Sequence, residues 1–143
     1  MLRTFRALTP IGLVVLALAV LANAVGIADG KGKPKAATLT LTVTPKQVKT
    51  GTKYTVELKG YSGKFTKLAA SGHKAPCGAT VYQENATHAI YVKAVPSKKN
   101  YDWVTKFTAA KAGTRYVCAY LYNQNGQGDT HQLHKSETYT STP

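Results

Sequence analysis

Between residues 38 and 60 apolar and polar positions alternate with a period of two. In "TLTLTVT", 38 to 44, Leu39, Leu41 and Val43 alternate with threonines until Pro45 ends the run. In "KYTVELKG", 53 to 60, Tyr54, Val56 and Leu58 face one way, and Lys53, Thr55, Glu57 and Lys59 face the other. Strict alternation predicts half-buried strands, as in an antiparallel sheet with one apolar face. The glycine- and serine-rich stretch 61 to 78 predicts one short strand around "KFTKLAA". Further strands are predicted at "ATVYQE" (79 to 84), at "HAIYVKAV" (88 to 95) and at "DWVTKFT" (102 to 108), where Trp103 and Phe107 share a face. "TRYVCAYLY" predicts a strand over 114 to 122, "NQNGQGD" (123 to 129) a hairpin loop, and "HQLHKSETYT" (131 to 140) a last strand. Seven or eight short strands with frequent turns and no extended helical period predict an all-β, two-sheet antiparallel sandwich over residues 38–141.

The first thirty residues do not fit that pattern. Arg3 and Arg6 precede an uncharged apolar run from Ile11 to Ala22, and Ala22-Asn23-Ala24 forms a small-x-small exit. A positive start, an apolar middle and such an exit compose a secretory signal segment, here residues 1–24, with cleavage after Ala28 as the alternative. The run is short for a bilayer, which needs about 20 apolar residues. An uncleaved anchor is the competing reading, and it is the one route by which this chain would contact a membrane. Residues 25–37, with "DGKGKPKAA", read as a flexible Lys/Gly-rich linker. The domains are therefore a leader, itself a signal helix, then a linker, then a single sandwich.

Export changes the reading of charge and of cysteine. The processed chain keeps 17 basic and six acidic residues, a net charge of +11. Sixteen of the basic residues are lysines and Arg115 is the one arginine. Lysine is a flexible point charge without the two-point geometry that reads bases, so sequence-specific nucleic-acid binding is not expected. The lysines are dispersed, which fits a solvated surface; attraction to an anionic cell-envelope component or a protein is the sharper reading. Cys77 and Cys118, 41 residues apart, are expected to form one disulfide in an oxidising compartment. Closing a loop of that size stabilises by about 4 kcal/mol in the chain-entropy picture.

"AGTRYVCAYL", 112 to 121, resembles the penultimate strand of an immunoglobulin-like domain, and "VTPKQVKTGTKYTVELKG" resembles its first two strands. The resemblance to small secreted bacterial proteins of that fold implies a tyrosine corner at Tyr116, its hydroxyl bonding back to backbone near Lys111 or Ala112. It also puts Cys118 in the place of the family's second cysteine. Two departures stand out. Val56 and Leu58 occupy the strand where the family has its first cysteine, so the bridge is expected to tie Cys77, in or before the next strand, to the Cys118 strand. Trp103 lies far from the position that would pack on the bridge.

In this strand Tyr116, Cys118, Tyr120 and Tyr122 share one face and Val117, Ala119 and Leu121 the other. Either Tyr120 and Tyr122 form an exposed binding stripe, or the tyrosines are core residues with satisfied hydroxyls. Signals for catalysis are sparse. The six acids are scattered, and no nucleophile elbow, phosphate loop or dinucleotide fingerprint is present. His131 and His134 would point to opposite faces of a strand. His73 with Cys77 and Cys118 points toward a copper or zinc site, but Met1 is the sole methionine, so no metal or cofactor is assigned. Asn85-Ala86-Thr87 matches a glycosylation sequon in an expected turn. The expectation is a non-enzymatic binding or structural module, secreted, periplasmic or at the cell surface. The alternatives are an inhibitor that presents the 123–130 loop and a small metal-binding or hydrolytic domain.

Overall fold

The computed structural model describes residues 33–123 and 132–143. The expected signal segment, residues 25–32 of the expected linker, His131 and nearly all of the expected 123–130 loop lie outside the described residues. Residues 33–37 have no regular structure and lead directly into the sandwich.

Eight strands form two sheets. They are β1 (Thr38–Thr44), β2 (Gln47–Lys49), β3 (Lys53–Tyr61), β4 (Lys67–His73), β5 (Tyr91–Ala94), β6 (Asn100–Thr108), β7 (Gly113–Tyr122) and β8 (Leu133–Thr142). The first sheet has the order β1-β3-β6, the second β2-β8-β7-β4-β5. All pairings are antiparallel except β2 with β8, which run parallel. The chain thus passes from one sheet to the other at Pro45, where a residue without an N–H ends the ladder.

The alternation of the sequence places the core. Leu39, Leu41 and Val43 of β1 and Tyr54, Val56 and Leu58 of β3 are buried while their neighbours point outward. They pack with Leu68 and Ala70 of β4 and Val117, Ala119 and Leu121 of β7 in one apolar cluster between the sheets. Each fully buried Val or Leu side chain stabilises the fold by about 1.5–3 kcal/mol. Tyr101 and Phe107 of β6 join the same cluster, and half-buried Trp103 packs against it.

Two expectations for the middle of the chain are corrected. Residues 79 to 84 do not form a strand. They begin a short helix, α1 (Val81–Thr87), so the fold is not purely strands. The physical reason is a capping box: the Thr80 hydroxyl accepts from the Gln83 N–H at 3.2 Å, and the Gln83 side chain accepts from the Thr80 N–H at 3.2 Å. Two otherwise orphaned donors are satisfied, which favours a helix start over an extended run. The sequon at Asn85 consequently sits on a helix, not in a turn. The strand expected over 88 to 95 shortens to Tyr91–Ala94, an edge strand whose four residues are all exposed.

Strand β7 is buried on both faces. Its aliphatic face looks into the core between the sheets. Cys118 and Tyr120 look outward with Ala69 of β4, into a second cluster that Cys77, Val81 and Ile90 help to cover. The 74–90 segment and α1 therefore roof the outer surface of the five-stranded sheet. This roof positions the polar site described next. Among the described residues no helix is long and apolar enough to cross a membrane.

Candidate functional site

The register of the five-stranded sheet gathers polar groups beneath α1. On β4, Ala69, Ser71 and His73 alternate onto the outer face; opposite them on β7 stand Tyr120, Cys118 and Tyr116. α1 lowers Glu84 onto this surface. Glu84 is the one helix residue that is buried, at 1% exposure. A buried carboxylate is costly unless it is fully partnered. Oε1 meets the Ser71 hydroxyl and His73 Nε2. Oε2 accepts from the Gly78 N–H at 2.9 Å and lies 3.1 Å from the Tyr120 hydroxyl. Burial alone would raise the carboxyl pKa. The Ser71 hydroxyl, the Gly78 N–H and His73 outweigh it and hold Glu84 below its ordinary value.

Gly78 is required here by space. A Cβ at this position would come within 2.9 Å of the Glu84 backbone nitrogen. Its carbonyl accepts from the Tyr120 hydroxyl at 2.6 Å. Tyr120 is therefore a core residue with a satisfied hydroxyl, and it does not belong to an exposed stripe. Burial, then the nearby Glu84 charge, raises its pKa, so the hydroxyl stays protonated. Tyr122, on the same face, is half-buried, and burial raises its pKa too.

The disulfide joins Cys77 to Cys118 with Cα atoms 5.6 Å apart. Cys77 lies after β4, in the segment leading to α1, so the bridge fastens the roof to β7 and does not link the two sheets. Cys118 Sγ lies 3.3 Å from His73 Nε2. Arg115 Nε donates to the Lys111 carbonyl at 3.1 Å, in the stretch near Lys111 or Ala112 to which the resemblance assigned the Tyr116 hydroxyl. Tyr116 lies beside the bridge cluster.

His88 completes the site. It caps the C-terminal end of α1, four residues after Glu84, and its ring stacks on His73 with centroids 3.5 Å apart and planes 7° apart. Its Nδ1 lies 2.8 Å from the Thr87 hydroxyl and 3.8 Å from Glu84 Oε1. The donor atoms of His73, Glu84 and His88 all lie within 4.8 Å of one another. His88 also borders a cleft of about 320 Å³ lined by Tyr54, Gly72, Tyr91, Lys106 and Phe107. His134 is exposed on β8, its ring 6.2 Å from that of Tyr120.

A second concavity, of about 670 Å³, opens where the linker meets the sandwich. Phe65, Tyr61, Ala37 and Leu133 give it an apolar floor; Lys35, Lys64 and Lys98 stand around it. Two irregular segments are sewn together to make it. Buried Ser62 donates its hydroxyl to the Pro96 carbonyl at 2.6 Å, and its N–H to the Lys99 carbonyl at 2.9 Å. The Lys98 N–H donates to the Gly63 carbonyl at 2.6 Å. Both residues of that bond have left-handed backbones, with φ of 54° at Gly63 and 56° at Lys98. The conformation is free for glycine and costs a lysine about 1–2 kcal/mol. Lys35 Nζ lies 4.4 Å from the centre of the Tyr61 ring.

Neither the buried acid nor the lysine cleft was legible as a site. The sequence shows the T-x-x-Q cap and the lysines, but not the register that assembles them. No protein-family model matches the chain, and no curated protein matches it in sequence.

Proposed function

We propose that this is an exported, non-enzymatic binding module of immunoglobulin-like fold whose lysine-bordered cleft holds an amphipathic anion of the cell envelope. The anion is a carboxylate or phosphate group carrying an apolar chain. The fold reading is supported by the passage of the chain between sheets at Pro45 and by the parallel pairing of β2 with the last strand. Export is supported by the leader pattern and by the disulfide, which fits an oxidising, extracytoplasmic compartment.

The observation that carries the ligand class is the pairing of an apolar floor with three lysines in one cleft. Its volume falls within the range of small-molecule sites, about 300–1,000 Å³. Lysines near an anionic surface contribute about 1 kcal/mol each. A lysine in a left-handed backbone, where glycine would be unstrained, is an outlier of the kind found at functional positions.

The test uses sedimentation with vesicles of phosphatidylglycerol against vesicles of phosphatidylcholine. The protein should bind the anionic vesicles, and binding should weaken as salt rises. Lys98→Gly should reduce binding while leaving the fold as stable as before or slightly more so, because the backbone strain is relieved. Equal binding to both vesicle types, or unchanged binding after combined Lys64→Ser and Lys98→Gly, would defeat the proposal.

A further inference from the structure

His73 Nδ1 is a buried side-chain atom without a hydrogen-bond partner. Its other ring nitrogen is occupied: Nε2 faces Glu84 Oε1, and the carboxylate also accepts from the Gly78 N–H and the Ser71 hydroxyl. Nδ1 is thus the ring nitrogen left for a ligand. An imidazole fixed by a carboxylate on one nitrogen, with the other nitrogen free, is the arrangement of a metal-bound histidine and its supporting acid.

A second imidazole stands beside it. Glu84 and His88 are four residues apart on α1 and its cap, which places them on one side, facing His73. We infer that His73 and His88, with Glu84 as the charge-balancing carboxylate, form a binding site for a divalent transition-metal cation of the zinc or copper class. Imidazole nitrogens backed by a carboxylate suit those ions; magnesium and calcium prefer oxygen donors throughout.

The ring planes supply a condition. Imidazole lone pairs lie in the plane of the ring, and these two planes are nearly parallel. A shared ion therefore requires one ring to turn. His73 is held: its side chain is 8% exposed and it is fixed by Glu84. The His88 side chain is 28% exposed, is tethered through the Thr87 hydroxyl, and borders the 320 Å³ cleft. His88 is the ring that turns, and the cleft provides the room and the access for water ligands. Lys106 lines the same cleft, so general charge attraction does not draw a cation here, and ligation must do so.

The test uses the protein expressed with its own leader, purified without an affinity tag and stripped with a chelator. Zinc titrated by calorimetry should bind at one ion per chain and raise the melting temperature. Zinc should also shift the ring resonances of both His73 and His88. His88→Gln should weaken zinc binding by about 100-fold and reduce the rise in melting temperature that zinc gives, each measured against the same variant without metal. Absence of saturable binding by the stripped protein, undiminished binding by His88→Gln, or ring shifts confined to His134 would overturn the inference. The ring shifts need no variant, so the inference stays testable even if substitution at His88 prevents folding.

Discussion

The two faces of strand β7 are both buried, and they are held by different physics. Val117, Ala119 and Leu121 contact other hydrocarbon between the sheets. Cys118 and Tyr120, on the opposite face, meet a disulfide, a carboxylate, a histidine and a glycine under a seven-residue helix. The apolar face tolerates small errors of direction, because burial of hydrocarbon is non-directional. The polar face does not. Each of its groups is stable in the interior only while its partner is in place, and losing one strands the others. One strand thus carries a face that makes the domain fold and a face that fixes a single arrangement of α1.

The largest effect expected is on the apolar side. Leu58 is fully buried between the sheets, and Leu58→Ala should cost about 2–5 kcal/mol in denaturant unfolding. That loss should be the same at pH 7 and at pH 4, since its cross-strand partners Leu41 and Trp103 carry no ionisable group. A cost below 1 kcal/mol would show that the space between the sheets is not the main source of stability.

Glu84 separates the two faces by pH. Its folded pKa is lowered, so the stabilisation it provides is complete above the ordinary carboxyl value of 4.5 and is lost as the pH falls through the lower folded value. Glu84→Gln should cost about 3 kcal/mol at neutral pH, because His73 and the Gly78 N–H lose the carboxylate they share. The variant should also flatten the acid limb of a stability–pH profile, which Leu58→Ala leaves intact. An acid limb unchanged by Glu84→Gln would place that proton uptake elsewhere.

The same contrast explains what the sequence made visible. The face between the sheets writes itself as alternation: Leu39-Leu41-Val43 and Tyr54-Val56-Leu58 are read directly, and the sandwich with them. "RYVCAYLY" left the second face of β7 open, as an exposed tyrosine stripe or as core, and the structure buries Cys118 and Tyr120 there. α1 is not written that way. A seven-residue helix that buries only Glu84 has no apolar stripe, so the valine and tyrosine of "ATVYQE" read as a strand. The Thr80–Gln83 box was the available signal, and a four-residue polar pattern is weak beside a β-favouring run. The site needed more still, because Ser71, His73, Gly78, Glu84 and Tyr120 meet only through the β4–β7 register and the roof. Alternation assigns a face; it does not assign the neighbour across it.

Tyr120→Phe is the smallest change that touches the polar face alone. It keeps the ring, the packing on Ala69 and the bridge, and removes one oxygen. The Gly78 carbonyl then loses the donor at 2.6 Å, and Glu84 Oε2 keeps only the Gly78 N–H. A loss of about 1 kcal/mol is expected, the usual net value of one buried hydrogen bond. If the roof acts as a unit, Tyr120→Phe and Glu84→Gln should not add. Once the carboxylate is gone, the hydroxyl anchors a segment that has already loosened, and the double variant should cost less than the sum of the two. Strict additivity in denaturant unfolding would mean that the hydroxyl and the carboxylate hold the 74–90 segment independently. The polar face would then behave as the apolar one does, as a set of separate contacts and not as a network.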